Sequence, residues 1–251
     1  METVTREPAA KVLLPSGFTS LLIAMPAYGN AVHVAACWSL TETVARLALA
    51  RVSHRVTYIL GESMVSRARD QIATVFLKTD CSHLLMIDSD VEFQPEAVFR
   101  LLAGARHHDL LMCAYPQKRE PICFPVSWTD EQRAAGPTVH PESGCIEIDS
   151  GPAGFFMVSR AAMERLVAAH PELEYICDHE TGARRFALFK PFQEGLDLYG
   201  EDISFCKRWR ALGGSIWLEP RCDLAHWNGG VPFKGHPMDM FTPAAEQAEA
   251  V

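Results

Sequence analysis

Two carboxylates stand two residues apart at the end of an apolar run, Leu84-Leu85-Met86-Ile87-Asp88-Ser89-Asp90. A buried strand ending in acids delivers them to the C-terminal edge of its sheet, where open α/β sheets bind ligands. Carboxylates at i and i+2 on a chain leaving its strand can converge on one hard cation. Mg²⁺ or Mn²⁺ held by one or two carboxylates and a substrate diphosphate is the usual form of such a site. A D-x-D is also a common surface turn, and the apolar strand before it is what favours the ligand-binding reading.

Three further segments carry chemistry. Tyr199-Gly200-Glu201-Asp202 opens a helical pattern with Phe205, Trp209 and Leu212 at i, i+4 and i+7. Acids in a first turn are favoured by the helix dipole, so a structural cap is one reading. A general base is the other, and the dipole then predicts a lowered pKa that keeps Asp202 ionised. Asp223-Leu224-Ala225-His226-Trp227-Asn228-Gly229-Gly230 places a histidine before a glycine pair. It is either a packed histidine or an imidazole completing a coordination sphere begun by carboxylates. Gly61-Glu62-Ser63-Met64-Val65-Ser66-Arg67-Ala68-Arg69-Asp70 follows an apolar strand and opens a helix. Its arginines can contact a phosphate or base, or lie on a solvated face behind a Ser66 cap.

The elements that must position these groups alternate between strand and helix, which predicts an α/β sandwich. Strands are expected at Ser20–Met25, His54–Leu60, His83–Ile87 and Asp109–Cys113, largely parallel, with helices over Val32–Arg51, Arg67–Lys78 and from Pro95. Ile72, Val75 and Phe76 share one helix face. The second half is less regular. A long loop with short strands is expected from Pro116 to Gly144, then a strand at Phe155–Val158 and a helix at Arg160–Ala169. A hairpin over Cys177–Phe189, a helix at Glu201–Leu212 and a strand at Ser215–Leu218 follow, leading to Cys222–Trp227. One domain over residues 19–236 is expected, with flexible ends at 1–18 and 237–251.

Composition narrows the class. The 251 residues are 48% hydrophobic and 22% charged, with 23 Lys+Arg against 31 Asp+Glu, a net charge of −8. That supports a folded core and argues against a broad nucleic-acid groove. No membrane span is expected, because the best apolar stretch, Ser20 to Cys37, is broken by Pro26, Gly29, Asn30 and His33. The charged N-terminus is unlike a secretory signal. The 8 cysteines include no C-x-x-C pair and read as reduced core residues of a cytoplasmic protein.

Taken in order, these segments resemble a GT-A-fold glycosyltransferase. The resemblance runs from about Ser20 to Gly230 and includes Pro26-Ala27-Tyr28, Ser66–Asp70, Leu84–Pro95, Gly151–Arg160, Gly200–Cys206 and His226. It is nearest in style to small soluble relatives of the inverting family that includes cellulose and hyaluronan synthases. It implies a single Rossmann-like α/β domain with a central, mostly parallel sheet flanked by helices. It implies Mn²⁺ or Mg²⁺ on Asp88, Asp90 and His226, with Asp90 the direct ligand and Asp88 nearer the ribose. Pro26, Tyr28, Glu62, Arg69, Asp88, Ser89 and Gly154 would line the nucleotide sugar, Gly154 on the acceptor side. Asp202 would be the base, with Glu201 beside it. The partners implied are a nucleotide-diphosphate sugar and a hydroxyl acceptor: a glycan, a lipid-linked sugar, a protein or modified DNA.

Asp70 stands where relatives often carry Asn. No Q-x-x-R-W motif is present, although Arg208-Trp209-Arg210 superficially echoes part of it, and this favours transfer of one sugar over polymerisation. A nucleotidyltransferase is the nearest alternative enzyme, but the loop Pro26–Asn30 lacks the basic residues it needs. A dehalogenase-type phosphatase fits Val91-Glu92-Phe93 poorly. A non-catalytic nucleotide-sugar or carbohydrate-binding module explains the donor residues but has no need of Asp202.

Overall fold

The computed structural model describes residues 12–241. The first half contains β1 (Leu21–Ala27), α1 (Val34–Leu49), β2 (His54–Leu60), α2 (Val65–Leu77), β3 (His83–Ile87), β4 (Val91–Phe93), α3 (Pro95–Gly104) and β5 (Leu110–Met112). Then come α4 (Asp130–Ala135), β6 (Ile146–Ile148), β7 (Phe155–Ser159), α5 (Arg160–Ala169), β8 (Glu174–Asp178) and β9 (Ala183–Phe186). The chain continues through β10 (Phe192–Glu194), β11 (Asp197–Tyr199), α6 (Glu201–Ala211), β12 (Ile216–Leu218), β13 (Leu224–Asn228) and β14 (Val231–Gly235).

Seven strands form the central sheet in the order β2-β1-β3-β7-β5-β12-β6. Strands β1, β2, β3, β5 and β12 run one way, while β7 and β6 are reversed. The apolar run of β3 is buried throughout because both faces of the sheet are covered. Its residues alternate: Leu84 and Met86 join a core with Ile72 and Phe76 of α2 and Phe205 and Trp209 of α6. Leu85 and Ile87 join a second core with Leu40 and Leu47 of α1 and Val98, Leu101 and Leu102 of α3. Period-2 strands between period-3.6 helices thus make three layers.

The expected β2, β3 and α5 match their observed bounds, other elements differ by a residue or two at their ends, and the hairpin expected over Cys177–Phe189 is formed by β8 and β9 three residues earlier. The Pro116–Gly144 stretch departs from expectation. It holds α4 rather than short strands, with Val139 and Ser127 making only isolated bridges. Thr129 and Gln132 form a reciprocal capping box, a legible T-x-x-Q signal. Strands β4, β6 and β14 and the β10–β11 hairpin are additions to the expected set. Ser66 is not the cap of α2, since the N-cap position is Met64.

Of the expected loose ends, residues 1–11 and 242–251 lie outside the described residues. Val12, Leu14 and Phe18 pack on the second core, and Phe241 meets Trp128 edge-on at 5.6 Å. No helix among the described residues is long and apolar enough to cross a membrane. All eight cysteines are free; five are buried, Cys37 is exposed, and Cys123 and Cys177 are half-buried.

Candidate active site

The parallel strands β1, β2 and β3 end side by side, and their following loops line a cleft of about 320 Å³. Pro26, Tyr28, Glu62, Asp88, Ser89, Asp90 and His226 all contribute to it, although 200 residues separate the first from the last. The ring of Tyr28, 70% exposed, offers a stacking face on the cleft. Glu62 is held by the Met64 amide at 3.2 Å and by Arg67 at 3.4 Å.

His226 reaches the cleft through a small antiparallel sheet. Strand β13 pairs with β14 on one side and β4 on the other, setting His226 opposite Val91. The Trp227 amide donates to the Asp90 carbonyl at 2.9 Å, and its indole donates to Glu92 at 2.8 Å. Trp227 also stacks on His33 at 4.6 Å, which ties the strand to the start of α1.

The Asp88 and Asp90 side chains diverge. Asp88 turns inward: Tyr115 donates to its Oδ2 at 3.2 Å, and so does Arg69 Nη2 at 3.2 Å. Its Oδ1 is 3.0 Å from Arg69 Nη2 but out of line, so this buried oxygen has no hydrogen-bond partner. Asp90 turns to the cleft, where Lys118 Nζ lies 2.5 Å from Oδ2 and His226 Nε2 lies 3.4 Å from Oδ1. Burial alone would raise the Asp90 pKa. Hydrogen bonds and charge from His226 and Lys118 outweigh it and bring the carboxyl down to about 2.

The expected three-residue convergence of Asp88, Asp90 and His226 is therefore not assembled. Among the described residues no three His, Cys, Asp or Glu side chains are grouped to hold a metal ion. The donor set nevertheless suits a divalent cation at Asp90 and His226. His226 Nδ1 lies 2.9 Å from the Pro116 carbonyl, which can only accept, so this nitrogen carries the proton. Nε2 faces a carboxylate oxygen of Asp90: carrying a proton it donates there, and without one its lone pair can share a cation with that oxygen. A ring N–H fixed by a carbonyl is also the usual outer support of a metal-binding histidine.

Arg69 is 3% exposed and does not line the cleft, in contrast to its expected place among the nucleotide contacts. It donates to the Ala153 carbonyl at 2.9 Å and pairs with Asp88, while its Nε lies 3.8 Å from Glu201 Oε1. Burial acts to lower its pKa, but Asp88, Tyr115, Glu201 and Asp202 raise it, so it stays a cation. Gly154 is required by close approach. A Cβ there would sit 2.1 Å from both Asp88 Oδ2 and the Tyr115 hydroxyl, while its carbonyl accepts the Asp88 amide at 2.8 Å.

Glu201 and Asp202 begin α6 beside this arginine. Burial raises the pKa of both carboxyls, against the lowering pull of Arg69. The lowered value expected for Asp202 from the helix N-terminus is corrected: desolvation outweighs the dipole and the 2.8 Å hydrogen bond from the Ile203 amide. Asp70 makes no cleft contact. It is 2% exposed and accepts the Phe189 amide at 2.9 Å.

Two site residues had no place in the expected set. Tyr115 follows β5 and points to the same edge of the sheet as Asp88, a position that strand order would have flagged. Nothing in the local sequence marks Lys118.

No protein-family profile matches the chain, and neither does any curated protein. Solved structures do resemble it. GalNAc-T7, solved with UDP, GalNAc and Mn²⁺, aligns with 84% of this chain at 12% identity and TM-score 0.50. The aligned part is 44% of that longer chain. A197 from STIV covers 84% of this chain and 87% of its own at 16% identity and TM-score 0.49. A 4-diphosphocytidyl-2C-methyl-D-erythritol synthase from Anaerococcus prevotii covers 91% and 98% at 9% identity and TM-score 0.42. At these identities the likeness bears on fold alone, and the fold is GT-A-like, a mostly parallel sheet flanked by helices.

Proposed function

We propose that this protein is a glycosyltransferase that moves a single sugar from a nucleotide-diphosphate sugar to an acceptor hydroxyl. The observation that carries the reading is the convergence of Tyr28, Glu62, Asp88, Asp90 and His226 on one cleft, with Glu201 of α6 linked to Asp88 through Arg69. The acceptor is a glycan, a lipid-linked sugar, a protein or modified DNA.

Tyr28 and Glu62 hold the nucleoside, and Asp88, braced by Arg69 and Tyr115, meets the ribose. Asp90 and His226 hold Mn²⁺ or Mg²⁺. When bound, the cation offsets negative charge growing on the departing diphosphate. Asp202 Oδ1 accepts from Ile203, leaving its other oxygen for the acceptor's proton. As the acceptor oxygen bonds to the anomeric carbon, the bond from that carbon to the diphosphate oxygen breaks, and Asp202 takes the hydroxyl proton. Attack opposite the leaving group inverts the anomeric centre. Glu201 stays beside Asp202 as a positioning residue near Arg69.

The test is a thermal-shift screen of nucleotide sugars with and without Mn²⁺, since a ligand that binds the folded state raises its apparent stability. A cation-dependent shift with one sugar nucleotide, followed by its turnover, is expected. Shifts indifferent to Mn²⁺ with no turnover would leave a binding module instead.

A further inference from the structure

The donor cleft contains a cation of its own. Lys118 Nζ lies 2.5 Å from Asp90 Oδ2, on the carboxylate whose other oxygen faces His226. Its stem rises from a short loop closed by the Gln117 amide on the Cys123 carbonyl at 2.8 Å and by Arg119 Nε on Cys123 Sγ at 2.9 Å. Pro116, two residues earlier, is the carbonyl that orients His226. The loop's root is thus tied to the site, while the ammonium sits on a flexible four-carbon stem and is about one-third exposed.

An ammonium on Oδ2 and a divalent cation on Oδ1 repel each other across one carboxylate, which weakens the hold of Asp90 on Lys118 and favours a move of the ammonium to another anion. Resting on the proposed donor-cleft reading, we propose that Lys118 is a tethered counter-ion that changes partner. It holds Asp90 before the divalent cation binds, then swings to the donor's diphosphate when the cation takes the carboxylate. One residue thereby keeps the carboxylate neutralised in the empty cleft and adds a point charge to the phosphates in the filled one. No bond is made or broken in this exchange.

The exchange gives one substitution two effects of opposite sign. Lys118→Met keeps the stem and removes the charge. Mn²⁺ alone, followed by paramagnetic resonance, should bind this variant about two- to fivefold more tightly than wild type, because no ion pair must first be broken. Mg²⁺-pyrophosphate, followed by calorimetry, should bind it roughly tenfold or more weakly, because a charge-assisted contact is lost. Lys118→Arg should return pyrophosphate affinity towards wild type. If wild type binds both probes and Lys118→Met leaves both unchanged, or weakens both, the partner exchange is wrong while the donor-cleft reading stands. If wild type binds neither probe, the donor-cleft reading falls and the exchange with it.

Discussion

The carboxylate at the end of β3 that faces the cleft and the pair that opens α6 lie in opposite surroundings. Asp90 meets the cleft between Lys118 and His226, and those partners bring its pKa down to about 2 despite burial. Glu201 and Asp202 are half-buried with Arg69 as the neighbouring counter-charge, and burial raises both. The difference teaches a division of labour. A carboxylate held ionised by cations is a durable cation ligand and a poor proton acceptor. One raised by desolvation is the better base. Arg69 touches both regions, pairing with Asp88 and approaching Glu201, so it keeps the two sets of negative charge from repelling each other.

The strongest way to break this comparison is Asp202→Asn. It preserves the oxygen that accepts the Ile203 amide and removes the proton acceptor. Turnover should fall on the order of 10²–10⁴-fold while nucleotide binding and melting temperature stay near wild type, because the base acts only in the transition state. In wild type, turnover should decline as pH falls through the Asp202 pKa, since protonation removes the base. That acidic limb should lie above the ordinary aspartate range. A normal transfer rate in Asp202→Asn would assign the base elsewhere. Glu201→Gln should do less.

Arg69→Met tests the bridge between the regions. It leaves Asp88 and the Ala153 carbonyl without their buried partner, and urea denaturation should show a loss of about 3–5 kcal/mol. A loss under about 1 kcal/mol accompanied by weakened nucleotide binding would instead make Arg69 a direct donor contact.

Asp90→Asn probes the cation side alone. Affinity for a nucleoside diphosphate in Mn²⁺ should drop roughly tenfold to a hundredfold by calorimetry, the worth of a charge-assisted contact. EDTA added to wild type should reproduce the loss, and Asp202→Asn should not. Equal affinities across these four conditions would dissolve the distinction between the two carboxylate regions.

The smallest effect isolates burial itself. Burial raises the Asp70 pKa from 3.8 to about 7, against the Phe189 amide, Arg208 and Arg185. A raised pKa favours the protonated form in the fold. This stabilisation is complete below about pH 4 and is lost as pH rises through about 7. The shift bounds the change at about 4 kcal/mol, and relaxation of the two arginines towards the ionised carboxylate brings the expected value to about 1–2 kcal/mol. Asp70→Asn should therefore gain that much over wild type between pH 4 and pH 8 in parallel urea titrations. Parallel pH profiles for the two proteins would show that burial does not raise carboxylates in this fold.

Much of this was legible in the chain itself. The apolar run before Asp88 determines a doubly covered strand, because five consecutive buried side chains need cores on both faces. The period of Ile72 and Phe76, and of Phe205 and Trp209, determines which helix faces meet the sheet. Acids placed just past a strand and just inside a helix mark both candidate regions, since those positions follow from local backbone geometry. The tertiary structure alone decided how they are used. The three residues of β4 look like the exit from a D-x-D turn, and only pairing with β13, more than 130 residues later, makes them the rail that carries His226 to Asp90. Lys118 lies in a stretch without periodicity, and its place on Asp90 follows from the folding of the 117–123 loop over the cleft. The rise in the Asp202 pKa is likewise invisible in sequence. A helix N-terminus predicts a lowering from local dipoles, whereas desolvation depends on everything the fold packs around the carboxylate, and here the surroundings outweigh the dipole.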